Sequence, residues 1–209
     1  MKKNIDKDYY AQGYRVIAGC DEAGRGPIAG PVVAAAVILP PNFFHARIND
    51  SKQLTPALRE TLFTLIQAKA LAYAITVIDV ATITKLNILE ASRLAMEKSL
   101  VKLKLPYDVV LSDAMKLPKQ TVPVFPLIHG DALSQTIAAS SILAKVTRDR
   151  LMDDLHERYP HFAFAEHKGY PTPKHLALLK QHGPIQDVHR PTFGPVKKIL
   201  ETSVSLFPR

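Results

Sequence analysis

Three short runs that read as buried strands, Val16–Cys20, Asp108–Leu111 and Val122–Ile128, each lead straight into acid: Asp21 with Glu22, then Ser112-Asp113, then His129-Gly130-Asp131. Short apolar, β-branched runs bounded by turn residues suit strands covered on both faces, which tolerate no charge along their length. The charges therefore fall where the strands stop. Neighbouring strand ends in one sheet bring such groups within a few ångströms of one another. Carboxylates that close repel, so the cluster persists when cations neutralise it, and an all-oxygen donor set selects hard ions such as Mg²⁺ or Mn²⁺. That is a two-metal phosphodiester site in outline, with ions about 3.5 to 4 Å apart, one activating water and the other stabilising the leaving oxygen. Each acid taken singly also has a structural use, as a solvated strand end or, for Asp131, as a charge favouring the start of a helix. Adjacent residues such as Asp21 and Glu22 point to opposite faces of a regular strand. A chain reversal at Gly24 and Gly26 relieves that objection.

The remaining elements follow from periodicity and punctuation. Val32–Leu39 and Leu71–Ile78 read as further strands. Between them Thr55 caps a helix, Pro56 fits its first position, and Leu58, Leu62, Leu65 and Ile66 recur at helical spacing. Amphipathic spacing predicts a helix over Asn87–Leu103, and a long one over Leu133–Arg158 opening with Ser134. Shorter helices are expected over Pro173–His182, stopped by Gly183, and over Val196–Thr202. This mixed order predicts an α/β layer structure with a partly antiparallel sheet. The absence of repeats and long linkers predicts one compact body.

Composition narrows the partners. With 209 residues and 47% hydrophobic content the chain can bury a sizeable core. Its longest apolar stretch, Ile28–Leu39, contains Gly30 and Pro31 and falls short of the roughly 18 residues of a membrane span, so no membrane role is expected. Asp6, Asp8 and Gln12 stand where a signal peptide would have its apolar core, which reads as a cytosolic chain. Cys20 alone excludes an internal disulfide framework and any thiolate-rich metal site. A net charge of +8 attracts anionic polymers such as nucleic acids. Six histidines of the last third (His156, His161, His167, His175, His182, His189) are expected on polar helix faces, adding pH-dependent positive charge rather than holding zinc. In Gly24-Arg25-Gly26, two glycines flanking an arginine let the backbone approach a sugar-phosphate, although a tight hairpin explains them equally well.

The segments CDEAGRGP (Cys20–Pro27), DSKQL (Asp50–Leu54), Asp113, HGD (His129–Asp131) with AASSILAKVTR (Ala138–Arg148), HKGYPT (His167–Thr172) and HRPTFGPV (His189–Val196) together resemble bacterial ribonuclease HII, in order and over nearly the whole chain. The resemblance implies an RNase H-like fold: a mixed five-stranded sheet flanked by helices, with a small helical C-terminal region. It divides the chain into an N-terminal extension (1–15), a catalytic core (16–160), a helical substrate-binding region (161–203) and a flexible tail (204–209). It implies an endonuclease that cuts the RNA strand of RNA-DNA hybrids and incises 5′ of a lone ribonucleotide in duplex DNA, leaving 3′-hydroxyl and 5′-phosphate ends. Asp21, Glu22, Asp113 and Asp131 would be its metal-binding carboxylates, for Mg²⁺ or Mn²⁺, with Asp21 and Asp113 bridging. Gly24, Arg25 and Gly26 would read the ribonucleotide 2′-hydroxyl, and Tyr170 would pack against the following sugar. Lys52, Lys145 and Lys168 match positions near the substrate backbone, and Arg190, Lys197 and Lys198 are expected to extend the duplex-binding surface.

Two positions depart from the family pattern: His129 where lysine is common, and Ala114 where glycine is common. Arg25, and only some 15 residues before the first strand, argue against the related ribonuclease HIII. A non-catalytic hybrid-binding module and a nuclease acting on DNA alone are the competing functions. The four acids speak against the first, and the Gly24-Arg25-Gly26 turn with Tyr170 against the second. The protein is expected to work as a monomer. Its tail, SVSLFPR, resembles replication-clamp-binding peptides only loosely and fits a disordered end better.

Overall fold

The computed structural model describes residues 4–49 and 51–205, without the side chains of Lys52 and residues 203–205. The expectations for Asp50, the Lys52 side chain and the tail from 206 onward lie outside the described residues, whereas the backbone of 203–205, expected as part of a disordered end, is helical.

Five strands, β1 (Ile17–Ala23), β2 (Val32–Ile38), β3 (Ala72–Ile78), β4 (Val109–Asp113) and β5 (Val124–Leu127), form one sheet in the order β3-β2-β1-β4-β5. Strand β1 runs antiparallel to β2 and parallel to β4, and β4 runs parallel to β5, so the sheet is mixed as expected. The helices in chain order are α1 (Asp6–Ala11), α2 (Pro56–Lys69), α3 (Val80–Leu86), α4 (Ile88–Val101), α5 (Gly130–Leu133), α6 (Gln135–Arg158), α7 (Phe164–His167), α8 (Pro173–His182) and α9 (Gly194–Ser205). None among the described residues is long and apolar enough to cross a membrane.

The described residues fall in two compact units, one within Met1–Ala23, Val33–Val77 and Ser92–Val146, the other within Gly24–Val32, Ile78–Ala91 and Thr147–Arg209. All seven residues of β2 are buried, and in the first unit its small side chains Ala34, Ala35 and Ala36 admit a close helix, with Ser99 of α4 donating to the Ala34 carbonyl at 3.1 Å. Strand β1 is equally tight against α6. A Cβ at Gly19 would lie 2.5 Å from the Thr136 carbonyl carbon, and Ser140 donates to the Gly19 carbonyl at 2.8 Å. Helix α1 packs on this body through Tyr9, beside Ile17, Val109, Leu111 and Ile137. Its buried Asp6 accepts from the Thr136 amide (3.0 Å) and hydroxyl (2.8 Å), satisfying donors at the start of α6. In the second unit Ile28, Ala29, Met152, Phe162, Phe164, Leu179, Val188 and Val196 form the core.

Thr55 and Thr172 cap α2 and α8 through the amides of Leu58 (3.3 Å) and His175 (3.2 Å), and Pro56 and Pro173 open those helices. The helix expected over Asn87–Leu103 begins instead at Ile88, because Asn87 adopts φ 70° and separates it from α3, which Asp79 caps. Helix α3 is rich in Val, Thr and Ile, which carry no helical signature of their own. The long helix expected from Leu133 is likewise interrupted, since Ser134 is extended and donor-capping, its hydroxyl accepting from Ile137 at 3.1 Å.

Candidate active site

Parallel pairing sets the geometry of the acids. Cys20 of β1 registers with Ser112 of β4, so Asp21 and Asp113 are the next residues along two adjacent parallel strands. The third carboxylate arrives differently from expectation. Asp131 does not end a strand; β5 stops at Leu127, and Asp131 sits in the helical turn α5. That turn is tied to β4 by the Gly130 amide, which donates to Asp113 Oδ1 at 2.8 Å. One oxygen each from Asp21, Asp113 and Asp131 lies within 4.8 Å of the others. Asp21 and Asp131 are buried and Asp113 half-buried.

Such a cluster is electrostatically unhappy by itself. Burial first, then the charges of Glu22 and Asp113, push the Asp21 carboxyl well above the ordinary carboxylate range, against hydrogen bonds from Ser141 and the Glu22 amide that pull it down. The same burial and carboxylates keep the Cys20 thiol protonated. Three convergent oxygen-only donors, two buried and one half-buried, fit a hard divalent cation. Glu22 stands outside that trio. It pairs with Ala34 within a ladder regular to Ala23, so the backbone does not reverse before it, and it is half-buried.

The Gly24-Arg25-Gly26 turn belongs to the second unit. Gly24 has φ 105°, and a Cβ there would lie 2.2 Å from the Arg148 side chain, so only glycine fits. Arg25 and Gly26 are exposed. The turn rests on a group placed elsewhere by the sequence: Arg190 does not extend a duplex-binding surface but is fully buried. Its guanidinium donates to five carbonyls, Gly24 (2.7 Å), Arg25 (3.2 Å), Pro27 (2.8 Å), Gly30 (2.9 and 3.0 Å) and Pro31 (3.2 Å). Arg148, equally buried, donates to the carbonyls of Ala29, Pro31 and Lys168. Burial lowers Arg190 to about 9 and Arg148 to about 10, so both stay charged at neutral pH. Nothing local in the sequence distinguishes these two arginines from surface ones.

Tyr170 is 43% exposed, and its ring lies beside the turn, 3.3 Å from where a Gly26 Cβ would be. Lys168 is mostly covered and ion-paired with Asp153. Lys145 is half-buried on α6. Lys197 and Lys198 are exposed on α9, Lys197 facing Glu201 at 3.8 Å. The expectation of surface histidines fails for three of them. His167, His175 and His189 are buried, His167 stacks on His175 with ring centroids 4.1 Å apart, and His175 Nε2 lies 3.2 Å from His189 Nε2. Burial lowers His175 to about 4 and His189 to about 3, so these rings add no charge to a basic face near neutral pH. His129 and Ala114 both adopt left-handed backbone, with φ 56° and 49°. A glycine would hold the Ala114 conformation without strain.

A mixed sheet of this order with acids gathered toward the ends of β1 and β4 defines a metal-dependent hydrolase of the RNase H-like class, and solved structures agree. The ribonuclease H2 of Pyrococcus horikoshii superposes with a TM-score of 0.77 at 28% identity, covering 90% of this chain and 98% of that one. The RNase HII in the PCNA complex from Archaeoglobus fulgidus has the same fold, with a TM-score of 0.72 at 23% identity over 86% of this chain and 95% of its own. In sequence, the ribonuclease HII of Acholeplasma laidlawii is 52% identical over 94% of this chain and 96% of its own length, and that of Geobacillus kaustophilus 49% identical over 96% and 76%. The ribonuclease HII family model matches residues 18–196, and the chain belongs to that family. It is thus a ribonuclease H, of a divalent-metal-dependent family that cleaves the RNA of RNA-DNA hybrids.

Proposed function

We propose that this ribonuclease incises on the 5′ side of a lone ribonucleotide embedded in duplex DNA, as well as cutting longer hybrids, and leaves 3′-hydroxyl and 5′-phosphate ends. The observation that carries the cleavage chemistry is the convergence of Asp21, Asp113 and Asp131 within 4.8 Å. In this reading those three, with Glu22 beside them, hold Mg²⁺ or Mn²⁺. A divalent ion bound there supplies the positive charge that stabilises a phosphorane-like transition state and acidifies an attacking water. The chain's own part is rigidity. The Glu22 amide fixes Asp21 Oδ1 at 2.6 Å, and the Gly130 amide fixes Asp113 Oδ1, so the donors are set before the cation arrives.

Ribonucleotide selection is assigned to the exposed turn. Arg190 draws the carbonyls of Gly24 and Arg25 inward. A planar trans peptide then turns the following amides, those of Arg25 and Gly26, to the opposite side. An outward amide and the Arg25 guanidinium can meet a 2′-hydroxyl, the group DNA lacks. The half-exposed Tyr170 ring offers a flat face to the next sugar. Lys52, Lys145 and Lys168 are assigned to backbone phosphates, Lys168 exchanging Asp153 for phosphate, with Lys197 and Lys198 at the periphery. A cytoplasmic, monomeric enzyme completes the reading.

The test compares wild type with Arg25→Ala on a duplex containing one ribonucleotide and on one containing four in a row. Arg25→Ala is expected to lose at least tenfold in kcat/KM on the single-ribonucleotide duplex. Unchanged activity there refutes the selective role of the turn.

A further inference from the structure

The three buried histidines have no part in the chemistry described above, yet their six ring nitrogens are fully committed. The Gly169 amide meets His167 Nδ1 at 3.2 Å, and the Ile185 amide meets His189 Nδ1 at 2.9 Å. An amide only donates, so both nitrogens are bare and each ring carries its proton on Nε2. His167 Nε2 then donates to the Phe162 carbonyl at 2.8 Å, and His189 Nε2 donates to His175 Nε2 at 3.2 Å. That contact requires a bare Nε2 on His175, whose proton is therefore on Nδ1, where it donates to the Tyr170 carbonyl at 2.8 Å. Only one combination of tautomers satisfies every contact, and it has all three rings neutral. A second proton on any ring would set two N–H groups head to head.

We propose that His175, locked in this tautomer by His189, and His167 are positioning residues that hold the Tyr170 peptide in place for recognition of a lone ribonucleotide. The chain of contacts runs from the Ile185 amide through His189 and His175 to the Tyr170 carbonyl, while His167 holds the Gly169 amide just before it. The Gly169 carbonyl in turn accepts from Ile28 at 2.9 Å, and Arg190 donates its amide to the Ile28 carbonyl at 2.8 Å. The Tyr170 peptide is thereby fixed on the same unit as the Gly24-Arg25-Gly26 turn, while its ring stays exposed. The rings Phe162 and Phe164 line the cluster. The charged and titratable groups acting on it from outside, Glu166, Lys174 and His156, all do so at His167. The lock at His175 and His189 is thus shielded.

The proposal rests on the Tyr170 role given above, and the experiment separates the two. Long-range ¹H–¹⁵N spectra of the histidines in the full-length protein at pH 7 are expected to show His175 as the Nδ1–H tautomer and His167 and His189 as Nε2–H. In kinetics, His175→Leu removes the donor, whereas His175→Asn keeps an N–H near the position of Nδ1. His175→Leu is expected to raise KM on the single-ribonucleotide duplex at least tenfold, with kcat on a four-ribonucleotide run within threefold of wild type. His175→Asn is expected to restore KM to within threefold. A folded His175→Leu enzyme with wild-type KM, or His175 observed as Nε2–H or as imidazolium, overturns the proposal. If His175→Leu does not fold, the tautomer spectra and His175→Asn decide it by the same criteria. Tyr170→Ala serves as the control, and wild-type KM in that variant overturns the Tyr170 role itself and the positioning role with it.

Discussion

Asp21→Asn is expected to make the metal-free protein more stable while abolishing its activity. The side chain keeps its shape, and its amide oxygen still accepts from the Glu22 amide, which lies 2.6 Å from Asp21 Oδ1. What disappears is a charge among carboxylate oxygens within 4.8 Å of one another. Two unit charges at that distance repel by about 3.5 kcal/mol at an effective dielectric of about 20. The protein escapes part of this by keeping a proton on Asp21, so the expected gain in EDTA is about 1 to 3 kcal/mol. For a chain of this size that is a rise in Tm of roughly 2 to 10 °C. The sign with pH follows from the raised folded-state value. Below about pH 3.8 the carboxyl is protonated both folded and unfolded, and the two proteins are equal. As pH climbs through the raised folded value, wild type loses stability that Asn does not, so the advantage of Asn grows with pH. Adding Mn²⁺ reverses the order, because a ligand that binds only the folded state stabilises wild type far more than the variant. Thermal unfolding followed by circular dichroism in EDTA and in Mn²⁺ at pH 4 and pH 8 reads all of this. An Asp21→Asn protein less stable than wild type in EDTA at pH 8, or one that gains as much from Mn²⁺, would show that Asp21 neither carries repulsion in the metal-free cluster nor holds the ion.

Arg190→Met, similar in length, removes the Arg190 donor from the carbonyls of Gly24, Arg25, Pro27 and Gly30, while Pro31 keeps Arg148, and is expected to cost about 3 to 5 kcal/mol in chemical denaturation. A loss below 1 kcal/mol would mean that water or Arg148 takes its place. Ala114→Gly is expected to stabilise by about 0.5 to 1 kcal/mol, because the left-handed φ of 49° is strained for alanine at an exposed site. Destabilisation in the same assay would contradict that account of the departure from glycine.

Local signals in the sequence announced the elements that local physics makes. Thr55 with Pro56 and Thr172 with Pro173 start helices by satisfying amides a turn away, and Gly183 stops α8 after His182. The alternation of apolar runs and acids located Asp21 and Asp113, although β1 does not stop at its charges: it runs on through Asp21 and Glu22 to Ala23, still paired with β2. Asp131 came through as a residue but not as a strand end, since the short turn α5 that carries it is anchored by a contact from Gly130 to Asp113, across 17 residues. Arg190 and the histidine cluster were illegible for the same reason on a larger scale. Arg190 satisfies its donors on carbonyls up to 166 residues away, and His189 meets His175 across a loop. A polar side chain is read from sequence as a surface group unless its distant partners are known. The break at Asn87 belongs here too, a backbone choice between α4, which the periodicity announces, and α3, which it does not.

The decisive measurement is cleavage by the wild-type enzyme of three end-labelled duplexes, carrying one ribonucleotide, four in a row, or none, in Mg²⁺, Mn²⁺ and EDTA. Incision 5′ of the lone ribonucleotide that needs a divalent ion and spares all-DNA is the predicted result. Cleavage confined to the four-ribonucleotide duplex would contradict the roles given to Gly24, Arg25, Gly26 and Tyr170, and cleavage undiminished in EDTA would contradict the role of the carboxylate cluster.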